Sequence, residues 1–96
     1  MSPKNKIKLN LLRKKLDKID NSLLLLIKKR SIVVKNVLNL KKYKREIVDQ
    51  KRINFILKKI NNKSIQKKID PKITKRIWTN MIWSFIDYER RNFSKK

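Results

Sequence analysis

Between Pro3 and Pro71 the chain carries no proline and, over its whole length, no glycine. Those two residues are the strongest local breakers of regular structure, so their absence permits long uninterrupted elements. From about Lys8 to Lys41 the apolar residues recur at helical spacing through Leu9, Leu12, Leu16, Ile19, Leu23, Ile27, Val34 and Val37. This periodicity predicts one continuous helix of roughly 34 residues, about 50 Å long at 1.5 Å per residue. The segment KKYKREIV, starting at Lys41, has no sustained period and reads as a loop. Asp49 then caps or begins a second helix that carries Ile53, Ile56, Leu57 and Ile60. NNKS, residues 61–64, reads as a polar break. Asp70-Pro71 is a start signal, with Asp as N-cap and Pro at the first helical position. The third helix carries Ile73, Ile77, Trp78, Met81, Ile82, Phe85 and Ile86 and runs to about Phe93.

The expected fold is therefore all-α, one long helix and two shorter ones, in a single domain over residues 1–96 with 1–7 and 94–96 as frayed ends. A helix of about 50 Å cannot be covered along its length by two much shorter partners. Its apolar stripe would then face water, and a symmetric homodimer with long helices packed together is the economical remedy.

Composition narrows the chemistry. Cys and His are both absent, which removes thiolate nucleophiles, disulfides, His-ligated zinc and His acid–base catalysis. No apolar run approaches the roughly 20 residues of a membrane span. The N-terminal MSPKNKIKLN has no signal-peptide core, so a cytoplasmic location is expected. The net charge of +22 points first to a polyanion partner. Yet Lys, Ile and Asn together supply 46 of 96 residues while Gly and Ala supply none, the pattern of AT-rich coding. The basic residues are spread along the chain, and the aromatic residues fall largely on an apolar helical stripe. A nucleic-acid-binding role is accordingly the less favoured reading.

The orientation of the charges is more informative than their number. On a wheel of about 100° per residue, Leu12, Leu16, Ile19, Leu23, Ile27, Val34 and Val37 fall within roughly ±40° of one direction. Arg30 and Lys41 lie near the middle of that stripe, about 20° apart after three turns, whereas Lys28 and Lys29 point elsewhere. Arg13 sits at the stripe's edge. On the second helix Asp49 and Arg52 lie on or beside the apolar face, and on the third Glu89 continues it. Inward cations need partners, and arginine cannot escape by losing its proton. With only seven acids in the chain, Arg13, Arg30, Lys41 and Arg52 outnumber the inward carboxylates of Asp49 and Glu89. The surplus predicts a small anionic ligand bearing more than one carboxylate or phosphate.

Over nearly its whole length the sequence resembles the all-helical, type II class of chorismate mutases. The resemblance rests on LRKKLDKIDNSLLLLIKKR (residues 12–30), Lys41 eleven residues after Arg30, IVDQKR (47–52) and IWTNMIWSFIDYE (77–89). It implies an intertwined homodimer with two equivalent sites and no cofactor or metal. Arg30, Lys41, Asp49, Arg52 and Glu89 would come from one chain and Arg13 from the other. Arg13 and Arg30 would bind the two carboxylates of chorismate, Lys41 and Glu89 would reach its ether oxygen, and Asp49 would lie on the ring-hydroxyl side. Arg52 would add positive field. The reaction implied is the rearrangement of chorismate to prephenate in phenylalanine and tyrosine biosynthesis, with Lys41, Glu89 and Arg30 as its catalytic groups.

Three positions depart from the family's usual pattern. Glu89 stands where many relatives have Gln, and a carboxylate donates a hydrogen bond only when protonated, so better activity at lower pH is expected. Ile53 replaces a common Glu and Phe85 a frequent Ser. Both changes also suit the isochorismate pyruvate-lyases of the same fold, which act on a related dicarboxylate. Asp49 favours the mutase.

Overall fold

A computed structural model describes residues 1–94. Among them the chain is all-helical: α1 (Pro3–Leu40), α2 (Gln50–Gln66) and α3 (Pro71–Asn92), with a single 3-10 turn at Lys44–Glu46 and no strand. Of the expected frayed ends, residues 3–7 lie inside α1, Ser94 lies past α3, and residues 95 and 96 lie outside the described residues. The chain divides into two compact units, Met1–Val33 and Val34–Lys96.

The first unit is helix alone. Its apolar residues Leu12, Leu16, Ile19, Leu23 and Ile27 are between 45% and 57% exposed. An isolated helix in water gains little from propensity, and most helical stability in proteins comes from packing an apolar face. This stretch therefore presents an exposed apolar line.

The second unit is built on the packing of α2 against α3. Its core is aliphatic: Leu38, Ile47, Ile53, Ile82 and Ile86 are buried, with Val48, Ile56, Leu57 and Phe93 packed against them. Leu38 is the residue of α1 that enters this core; it lies about 80° from Leu12 on the wheel, at the margin of the predicted stripe. Ile73 and Ile77, expected on the buried stripe of α3, are instead more than half exposed. The buried line of α3 is Thr74, Ile82, Ile86 and Glu89.

Local signals account for the helix ends. The Asp49 side chain accepts a hydrogen bond from the Arg52 amide (3.1 Å), and Asp70 accepts from the Lys72 amide (2.9 Å) with Pro71 behind it. The expected break at NNKS does not occur, because α2 continues through it to Gln66. Ser64 is tolerated inside the helix: its hydroxyl donates to the Ile60 carbonyl (2.7 Å) and meets the Thr74 hydroxyl at 2.7 Å. That buried pair joins α2 to α3. The helix stops just beyond, where the Ile69 amide donates to the Ser64 carbonyl (2.9 Å) and the Lys68 amide to the Ile65 carbonyl (3.1 Å). This Schellman closure puts Lys68 in the left-handed region, φ 59°, a position usually taken by the glycine this chain lacks.

Candidate active site

Lys41 follows the last residue of α1, with its amide donating to the Leu38 carbonyl (3.0 Å). The burial of Leu38 anchors that turn, and the turn carries the Lys41 stem inward. Its ammonium donates to Glu89 Oε2 at 2.9 Å. Glu89 lies seven residues after Ile82 and three after Ile86, so it continues the buried line of α3 by helical geometry alone. The Lys41 side chain is 19% exposed and that of Glu89 only 7%. Two groups 48 residues apart in sequence are thus joined in a largely dry place, where each would be costly without the other. A second ion pair, Arg91–Asp87, is a one-turn contact on the exposed surface of α3.

Asp49 is exposed at the start of α2, where one carboxylate oxygen serves as the helix cap. Arg52 is exposed, its guanidinium 5.4 Å from the centre of the Phe55 ring one turn on. Arg13 and Arg30 belong to the Met1–Val33 unit, Arg13 exposed and Arg30 half-buried. Within the Val34–Lys96 unit, the predicted residues brought into side-chain contact are Lys41 and Glu89.

Ile53 is buried with Leu38, Ile47, Ile82 and Ile86. An ionised Glu at this position would face four aliphatic side chains, so the apolar residue suits its surroundings here. Around the 3-10 turn, Glu46 Oε2 accepts from the Lys42 (2.8 Å) and Tyr43 (3.4 Å) amides, and the Arg45 guanidinium stacks 4.4 Å from the Tyr43 ring. The segment read as a loop is thus held in shape by its own side chains, directly after Lys41. No spacing rule would have found this, since Glu46 bonds to backbone groups.

The arrangement supplies a fixed ammonium whose remaining protons can meet an anionic or ether oxygen, beside a carboxyl group able to accept or, once protonated, donate. Residues 12–90 match the chorismate mutase type II family, and the chain belongs to it. No curated protein and no solved structure matches the chain. Among the described residues no helix is long and apolar enough to cross a membrane.

Proposed function

We propose that the protein is a cofactor-free isomerase converting chorismate to prephenate, acting as a homodimer in aromatic amino-acid biosynthesis in the cytoplasm. The observation that carries this reading is the Lys41–Glu89 pair, held at 2.9 Å between the end of α1 and the buried line of α3. The reaction is a concerted rearrangement in which one C–O bond breaks as a C–C bond forms within the same molecule. It asks for no nucleophile. It asks for the reactive conformer to be held and for charge on the departing ether oxygen to be met.

Lys41 meets that charge with a donor that is already positioned, so little reorganisation accompanies the reaction. Glu89 in its ionised form fixes the ammonium; to donate to the ether oxygen itself it must first take a proton. Arg30 and the partner chain's copy of Arg13 bind the two carboxylates, for which the arginine fork is suited. Asp49 lies toward the ring hydroxyl and Arg52 adds positive potential. The exposed line of Leu12, Leu16, Ile19, Leu23 and Ile27 supports the homodimer, because an apolar helical face of this length is stabilised by burial against another.

Lys41→Ala tests the assignment. Turnover of chorismate should fall by at least about 100-fold, the order of effect of a lost transition-state donor, while the helical circular dichroism persists. A variant that folds and turns over near the parent rate removes Lys41 from the mechanism. Isochorismate cleavage to salicylate and pyruvate is the second reading, favoured by the apolar Ile53; the same assay with isochorismate distinguishes it.

A further inference from the structure

The end of α1, where Lys41 is rooted, is closed differently from the end of α2. At α2 the left-handed Lys68 turns the chain, and among the described residues it alone has a positive φ, so α1 ends without such a cap. The Lys41 amide donates to the Leu38 carbonyl (3.0 Å), and no basic residue stands in the last turn of α1. A helix end with nothing more to hold it frays. The stop comes from further along the chain. Glu46 Oε2 accepts from the amides of Lys42 (2.8 Å) and Tyr43 (3.4 Å), the two residues that follow Lys41.

Glu46 is itself held. Its amide donates to the Tyr43 carbonyl (3.0 Å), and the amide of the next residue, Ile47, donates to the Lys44 carbonyl (3.1 Å). Ile47 is the most deeply buried of the apolar core residues, 3% exposed. The Glu46 carboxylate thus ties the backbone just after Lys41 to a core anchor, and buried Leu38 anchors the side before it. The Lys41 stem rises between these two anchors and its ammonium ends on Glu89 Oε2 at 2.9 Å. That contact fixes the head of a flexible stem. Where the ammonium sits depends also on where the stem begins.

We infer that Glu46 is a positioning residue for Lys41 in the rearrangement proposed above, a reading on which this inference rests. By capturing the Lys42 and Tyr43 amides it fixes the backbone from which the Lys41 ammonium reaches the ether oxygen. Without the carboxylate those amides turn to water or to carbonyls of the preceding turn, and the base of the Lys41 stem moves. A displacement of about 1 Å at a reacting group can cost about 10²-fold in rate. Glu46 is exposed and stands outside the aliphatic core, so removing it displaces Lys41 without unfolding the helices.

The test compares the intact protein with Glu46→Ala, which removes the acceptor, and Glu46→Gln, which keeps an uncharged oxygen in its place. In the isotope-labelled parent the paired Lys41 ammonium should give a slowly exchanging nuclear magnetic resonance signal, identified by its loss in Lys41→Arg. That signal should persist in Glu46→Gln and broaden beyond detection in Glu46→Ala. In Glu46→Ala the Lys42 amide should also exchange at least about tenfold faster, as expected for a lost hydrogen bond to a charged group. Its kcat for chorismate should fall at least about tenfold with KM within about twofold, and Glu46→Gln should restore most of the rate. An unchanged Lys41 signal in Glu46→Ala, or its absence from the parent, would overturn the inference. So would a full rate loss in Glu46→Gln, or loss of the helical circular dichroism in Glu46→Ala. A parent that forms no prephenate defeats the proposed reaction instead, and the two resonance readouts then decide alone whether Glu46 positions Lys41.

Discussion

The Lys41–Glu89 pair permits a double-mutant cycle whose asymmetry follows from burial. Lys41→Met leaves the Glu89 carboxylate, 7% exposed, without its cation. Removing one member of a buried pair in this way costs about 3–5 kcal/mol, a large share of a small domain's stability. Glu89→Leu leaves the Lys41 ammonium, whose side chain is 19% exposed and whose head can turn toward water. That variant should lose about 1–2 kcal/mol, the order of a lost hydrogen bond to a charged group. The double variant places two apolar side chains face to face and should lie within about 1 kcal/mol of the parent, since such replacements are often neutral. The coupling energy is then about 3 kcal/mol or more. Urea unfolding followed by far-UV circular dichroism at fixed protein concentration provides the measurement. The pH dependence is a second readout. A carboxylate stranded in an apolar place has its folded-state pKa raised above the unfolded value, so the native state of Lys41→Met binds the extra proton. Its stability deficit should be full near neutral pH and shrink as the pH falls. Additive single and double variants, or a Lys41→Met deficit independent of pH, would refute the claim that Glu89 is buried and held by Lys41.

Ile19→Lys places a charge in the middle of the exposed apolar line of α1 and should convert a dimer to a monomer, with loss of activity, as read by sedimentation equilibrium; a dimer that persists contradicts the use of that face. Glu89→Gln should flatten the pH–rate profile: the parent gains rate as the pH falls because its carboxyl must be protonated to donate, whereas the amide donates throughout. An identical profile in parent and variant contradicts a donor role for Glu89. Lys68→Gly should stabilise the hairpin by about 0.5–1 kcal/mol, since a left-handed φ costs a β-carbon residue roughly 1–2 kcal/mol and glycine returns part of that gain in chain entropy. A lower urea midpoint in that variant would place the strain elsewhere.

The helices were legible in the sequence because their signals are local. Asp70-Pro71 marks the start of α3 through its own side chain and ring, and Asp49 caps α2 through its own carboxylate. The missed continuation of α2 through NNKS has a tertiary cause: Ser64 stays helical while its hydroxyl is shared with Thr74, ten residues on and in another helix. Likewise, a single-helix wheel centres the stripe of α1 on Leu12 and Val37, but the residue that reaches the Val34–Lys96 core is Leu38, chosen by what α2 and α3 present. Glu89 was legible as an acid on an apolar line, and Lys41 as a cation on another. That each answers the other is a fact of packing.

The central claim, that this chain rearranges chorismate through Lys41, is tested most directly by incubating the purified protein separately with chorismate and with isochorismate and identifying the products. The account predicts prephenate from chorismate, formed at a rate that Lys41→Ala abolishes, and no salicylate from isochorismate. Salicylate and pyruvate from isochorismate with chorismate untouched, or no product from either, would contradict it.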